Sequence, residues 1–153
     1  MSDIDDLYWL GLACDLARLC PPSQTAFSVG AVIVSADGEE LARGHSRERD
    51  PHEHAEEAAL AKIGPADPRL ATATIYSSLE PCGRRKSRPR TCAELIIAAG
   101  IRRVVFAWRE PAVFVEATGA DRLAAAGVAL VELGDLAPRA REPNAHLLGR
   151  PSG

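Results

Sequence analysis

Apolar and polar positions change their spacing several times along this chain, and each change marks an element. Over residues 4–20, Leu7, Leu10, Gly11, Cys14, Ala17 and Leu19 recur near the helical period. Pro21-Pro22 ends that segment, because proline lacks the amide hydrogen a helix interior needs. Residues 29–35 form a continuous apolar run suited to a buried strand, Ala36-Asp37-Gly38 is turn chemistry, and 40–45 is the predicted hairpin partner. Asp50-Pro51 leads into a stretch rich in Ala and Glu over 52–63, closed by Gly64-Pro65, which predicts a second helix. Residues 72–78 alternate β-formers and predict a third strand, with Leu79-Glu80-Pro81-Cys82 just past its end. Thr91 opens a helix that runs through Ala99, with Gly100 as its C-terminal stop. Residues 102–108 read as a fourth strand, 113–126 contain another amphipathic helix, and 127–133 form a fifth strand. The tail from about 135 to 153 is expected to be extended or a short helix.

After the hairpin, strands alternate with helices long enough for parallel crossovers, so the pattern predicts a mixed sheet with helices on both faces. With 153 residues and 46% hydrophobic content, the chain fits a single domain over 1–153. The N-terminus is acidic where a signal peptide is basic, and no apolar run approaches the roughly 20 residues of a membrane span. The expectation is a cytoplasmic protein with no membrane partner. A net charge of −3 gives no general attraction to polyanions, and 5% aromatic residues are too few for a single-strand groove, so nucleic acid is not the expected partner.

Four cysteines in such a chain are kept reduced, which favours metal binding over disulfides. Cys14 and Cys20 lie in the apolar N-terminal stretch and read as small buried hydrophobes. His54-Ala55-Glu56, Pro81-Cys82 and Cys92 supply an imidazole, two thiols and a carboxylate outside the ligand set, the inventory of a catalytic zinc site. His54 and Cys92 are placed in the first turns of helices, whose free N–H groups favour thiolate and developing negative charge. Glu56, two positions after His54, is free to face a water and move its protons. His52 is set aside as a ligand, since helical residues two apart point about 200° from each other. Glu53 and Glu57 read as solvated first-turn acids, and His45 and His146 as structural or surface residues. A structural zinc site is the alternative, but it would be closed by four protein ligands and only three are in sight.

These residues resemble the zinc-dependent cytidine deaminase superfamily, whose signature is His-x-Glu on one helix and Pro-Cys-x-x-Cys at the start of the next. The resemblance extends through Val29-Gly30-Ala31-Val32-Ile33-Val34, His54-Ala55-Glu56, Leu79-Glu80-Pro81-Cys82, Cys92 and Ile101-Arg102-Arg103-Val104-Val105. It implies a three-layer α/β/α sandwich around a five-stranded mixed sheet, Zn2+ held by His54, Cys82 and Cys92, and Glu56 as the catalytic acid and base. It also implies a homodimer, for which the faces Ala58-Ala59-Ala61 and Ile96-Ile97 offer either core or interface.

Nine residues separate the two cysteines instead of two, which resembles the pyrimidine deaminases of riboflavin biosynthesis, the diaminohydroxyphosphoribosylaminopyrimidine deaminase group. The substrate implied is a ribosylaminopyrimidine phosphate. The insert over 83–90 carries five of the chain's 18 Lys and Arg, and Arg84, Arg85, Lys86 and Arg88 are expected to bind that phosphate. One departure stands out: Ala26 and Phe27 occupy the positions of an Asn-Pro pair in that group. Phe27 and Ser28 are therefore expected at the substrate, with Ser23, Thr25 or Ser28 replacing the asparagine. The function implied is hydrolytic deamination of a phosphorylated aminopyrimidine, without the reductase domain of bifunctional relatives. The alternative substrates are cytidine, deoxycytidylate or another amino-heterocycle.

Overall fold

The computed structural model describes residues 3–64, 66–82, 91–109 and 119–148. Its strands are β1 (Gly30–Val34), β2 (Glu40–His45), β3 (Thr74–Leu79), β4 (Arg103–Trp108) and β5 (Ala129–Glu132), in one sheet of order β2-β1-β3-β4-β5. Val32 and Ile33 point to opposite faces of β1 and neither exposes any surface, so the sheet is covered on both sides. The short 36–39 turn makes β1 and β2 antiparallel, and β1 also runs antiparallel to β3. Helical crossovers then make β3–β4 and β4–β5 parallel.

One face of the sheet carries α1 (Asp3–Ala17) and α5 (Ala137–Arg141); the other carries α2 (Ala55–Leu60), α3 (Cys92–Ala99) and α4 (Gly119–Ala125). This is the three-layer sandwich. The tail contributes α5 and flanking 3-10 turns. Among the described residues no helix is long and apolar enough to cross a membrane.

Two helices differ from the lengths the sequence pattern predicts. The second begins at Ala55 instead of residue 52, because side chains capture the preceding amides: His52 N–H donates to Asp50 Oδ1 at 2.8 Å and Arg49 N–H to Glu53 Oε1 at 2.9 Å. It ends at Leu60, where the amides of Lys62 and Ile63 turn to carbonyls three residues back. The helix expected over 113–126 is seen as Gly119–Ala125, its earlier part lying outside the described residues. That helix stops where the pattern requires: Gly127 adopts φ 84°, its N–H meets Ala124 O, and Val128 N–H meets Leu123 O.

Close packing fixes the elements that carry the chemistry. A Cβ on Gly44 would lie 2.7 Å from both Ala55 O and Ala59 N, so the missing side chain lets α2 rest directly on β2. On the α1 face, the Asp6 carboxylate accepts from the Tyr76 hydroxyl at 2.6 Å and from Arg103 Nη1 and Nη2 at 3.0 and 2.6 Å. Burial pushes the Asp6 pKa upward, but the bonds and charge from Arg103 and the Tyr76 hydroxyl outweigh it and leave the group below its ordinary value.

Candidate active site

Three helix starts and one strand end converge on a single corner. His54 is the residue just before α2, in extended conformation at φ −92° and ψ 159°, so it lies one step outside the first turn that the sequence pattern assigned to it. Glu57 reaches back to accept the His54 N–H at 3.2 Å, which fixes the backbone that carries the imidazole. Thr91 and Glu94 cap α3 reciprocally, through Glu94 N–H to Thr91 Oγ1 at 3.1 Å and Thr91 N–H to Glu94 Oε1 at 3.2 Å. The amides of the first turn of α3 then turn to Cys82: Cys92 N–H donates to its Sγ at 3.2 Å and Ala93 N–H to its carbonyl at 3.1 Å. The start of α4 presses on the same loop. A Cβ on Gly119 would lie 1.6 Å from Pro81 O, and Ala120 N–H donates to the buried Glu80 carboxylate at 2.9 Å.

His54 Nδ1 lies 3.3 Å from Cys92 Sγ and 3.6 Å from Cys82 Sγ, and the three donor atoms all fall within 4.8 Å of one another. Tetrahedral zinc, with Zn–N of about 2.0–2.1 Å and Zn–S of about 2.3 Å, sets N and S about 3.5 Å apart, so the donor set fits that ion. The hydrogen bond from Cys92 brings the Cys82 thiol down to about 4 against the opposing effect of burial, with His54 and the Cys92 amide adding to it. Cys82 is thus a thiolate, the form that ligates metal, at neutral pH. Among the described residues His52 is not part of this group. Cys14 is buried in the core, where desolvation raises its thiol to about 11, and Cys20 lies half-buried with its Sγ 3.5 Å from Val29 O.

Glu56, in the first turn of α2, is 3% exposed. Burial and then the negative charge of Cys82 push its pKa up, and His54, its own backbone amide and Ser77 only partly oppose this. The Ser77 hydroxyl lies 3.0 Å from Glu56 Oε2 and 2.7 Å from Leu79 O, yet it has one proton to donate. A Glu56 that carries its own proton satisfies all three groups, donating to Ser77 while Ser77 donates to Leu79. The local geometry therefore accommodates a carboxyl that gains and loses a proton.

A cavity of about 320 Å³ opens beside this corner. Thr25, Ala26 and Phe27 line one side, with the Phe27 ring edge-on to Trp108 at 5.4 Å between centroids. Arg47, His52 and Glu53 line another, and His54, Glu56, Glu80 and Cys82 lie at the metal end. Ser28 does not line it: the hydroxyl of Ser28 accepts from Arg47 Nη2 at 2.7 Å, behind the wall. Ser23 accepts the amides of Thr25 and Ala26 at 3.2 and 3.0 Å, which leaves Thr25 as the hydroxyl residue of the three that faces the cavity. Arg84, Arg85, Lys86 and Arg88 lie outside the described residues.

Glu53 corrects the reading of a solvated helix acid. It is 2% exposed and ion-paired to Arg49, whose Nε donates at 2.7 Å, because it precedes the helix and folds back into the loop. The pattern of residues gave Ser77 and Arg47 no role at all. Ser77 looks like any polar residue of an alternating strand. Arg47 carries a backbone of φ 56°, a region that costs a non-glycine residue about 1–3 kcal/mol and persists only where its surroundings hold it.

The family model described as the cytidine and deoxycytidylate deaminase zinc-binding region matches residues 3–108. The chain belongs to this family of zinc-binding deaminases. Within it, the chain is similar to the diaminohydroxyphosphoribosylamino-pyrimidine deaminase of Schizosaccharomyces pombe, with 40% identity over 122 residues, which are 78% of this chain and 30% of that protein. Among solved structures, Acinetobacter baumannii RibD aligns with a TM-score of 0.81 at 31% identity, over 95% of this chain and 39% of that one. Aspergillus oryzae Rib2 deaminase in complex with DARIPP aligns with a TM-score of 0.71 at 25% identity, over 94% of this chain and 98% of that one. The chain spans about a third of the length of the curated relatives it matches.

Proposed function

We propose that this chain is a zinc-dependent hydrolase that removes the exocyclic amine of the ribosylaminopyrimidine phosphate of riboflavin biosynthesis. The observation that carries the reading is the joint placement of three metal donors and a buried Glu56 with a raised pKa beside one cavity. The similarity to the yeast pyrimidine deaminase and to RibD supports the substrate.

His54, Cys82 and Cys92 would hold Zn2+, which when bound would supply Lewis acidity and make a water acidic enough to act near neutral pH. The chain's own residues do the rest. The cavity wall at Phe27 and Leu79 receives the flat heterocycle and excludes bulk water from the amine-bearing carbon. Glu56 takes one proton as water adds to that carbon and passes it to the adjacent ring nitrogen, then carries the proton of the new hydroxyl to the exocyclic amine. Water is consumed, ammonia leaves, and a ring carbonyl beside a ring N–H replaces the amine. Ser77 keeps the Glu56 carboxyl aimed during both transfers. Arg84, Arg85, Lys86 and Arg88 bind the substrate phosphate in this reading, and the deaminase works in the cytoplasm as a homodimer.

The test is ammonia release by purified protein from the riboflavin-pathway intermediate, alongside cytidine and deoxycytidylate, with Glu56→Gln as the control. Turnover of the intermediate alone, abolished in Glu56→Gln, supports the proposal. Turnover of cytidine or deoxycytidylate in its place would transfer the chemistry to the other substrate class, which the replacement of Asn-Pro by Ala26 and Phe27 favours.

A further inference from the structure

Among the described residues, Arg47 is the one arginine that lines the substrate cavity. Its N–H donates to Glu53 O at 2.7 Å. Its guanidinium gives Nε and Nη2 to Pro21 O at 3.2 and 2.7 Å, Nη1 to Phe27 O at 3.1 Å, and Nη2 also to Ser28 Oγ at 2.7 Å. Four of the five guanidinium N–H groups are thereby committed to the chain itself. On the other side of the same wall, Asn144 of the C-terminal segment accepts the Ser28 N–H at 2.5 Å and donates to Ser28 O at 2.9 Å. The segment that presents Thr25, Ala26 and Phe27 to the cavity is clamped between these two side chains.

We propose that Arg47 is a positioning residue that sets substrate affinity through the shape of the wall it holds and not through its charge. The proposal rests on the deaminase reading above. An arginine beside a cavity expected to take a phosphorylated ligand invites assignment as an anion clamp, but a guanidinium with its donors spent on two backbone carbonyls and a hydroxyl has little left to offer a phosphate. The left-handed backbone at φ 56° has the same meaning: the bonds at both ends of the residue hold it in a conformation that a side chain disfavours. Lysine has three donors at a point and cannot bridge Pro21, Phe27 and Ser28 together, so the role is specific to the planar fork.

The test compares Arg47→Ala and Arg47→Lys with Arg43→Ala, which loses an exposed pairing with Glu40 remote from the cavity. KM and kcat are measured on the ribosylaminopyrimidine phosphate and on its dephosphorylated form, with zinc content and amide hydrogen exchange in parallel. We expect both Arg47 variants to raise KM about tenfold or more, by the same factor on both substrates, with kcat nearly unchanged and zinc retained. Amides of residues 23–28 should exchange at least about tenfold faster, while those of α3 stay protected. A KM penalty confined to the phosphorylated substrate would overturn the proposal and make Arg47 an anion contact. Unchanged exchange at 23–28, or faster exchange throughout the sheet with loss of zinc, would overturn it too. If the unsubstituted protein turns over neither compound, the substrate reading fails, and the exchange pattern still decides whether Arg47 clamps the wall.

Discussion

Adjacent residues of β3, Tyr76 and Ser77, point to opposite faces of the sheet, and each meets a carboxylate that is almost wholly buried. On the α1 face, Tyr76 meets Asp6, which Arg103 also engages with two bonds, and the carboxyl is held below its ordinary pKa. On the α2 face, Ser77 meets Glu56, and burial and then the negative charge of Cys82 push that carboxyl above its ordinary pKa. Asp6 is 2% exposed and Glu56 3%, yet the outcome differs. At Asp6 the bonds and charge of Arg103 and the Tyr76 hydroxyl outweigh burial, whereas at Glu56 deeper burial is the largest effect and the negative charge of Cys82 adds to it. A buried acid beside a cation is a fixed charge that ties a helix to a sheet, whereas a desolvated one beside an anion holds its proton more readily and is suited to passing it on.

The comparison breaks first at the metal. Stripping the protein with a chelator should abolish turnover and lower the thermal midpoint, and added Zn2+ but not Mg2+ should restore both, because two thiolates and an imidazole select the softer ion. Next comes Glu56→Gln, which should lower kcat by about 10²–10⁴-fold without lowering the thermal midpoint, since burial and the negative charge of Cys82 both disfavour the charge it removes. A fall in stability as large as the fall in rate would show that Glu56, like Asp6, is structural. Asp6→Ala should do the reverse, costing about 3 kcal/mol in a denaturant titration, the low end for a broken buried pair, because Arg103 keeps 28% of its side chain exposed. Its effect on kcat in the folded protein should be negligible. The smallest effect is acid sensitivity. With its folded pKa depressed, Asp6 contributes stability that is complete above its unfolded pKa of about 3.9 and is lost as pH falls through the folded value. Asp6→Asn should therefore flatten the decline in unfolding free energy below about pH 4 relative to the unsubstituted protein.

The metal corner was legible because its residue types announce their chemistry and its helices announce their starts. His54, Cys82 and Cys92 stand out by type, and Thr91 and Gly100 mark both ends of α3, so the second cysteine could be assigned to a first turn. The five strands were legible from β-branched runs and turns, with boundaries shifted by one or two residues. What was hidden depends on register or on competition for amides. Ser77 meets Glu56 only because β3 pairs with β1 in the alignment Ala31↔Ser77, which no local pattern encodes. Glu53 was misread for a different reason: the stretch from 52 to 54 has helical composition, but Asp50 and Glu53 side chains take the amides that a helix would need. Asp6 and Arg103 lie 97 residues apart along the chain, and their pairing follows from α1 packing on the sheet.

Gly119 carries a lesson for the adaptability of this protein. With Pro81 O occupying the space a methyl group would need, a saturation library at that position should return glycine and little else, and the sulfur of Cys82 inherits that rigidity. Randomising residues 25–27 across the cavity touches no such steric lock. Lineages that acquire new substrates would thus be recognisable by divergence on the wall alongside an invariant first turn of α4.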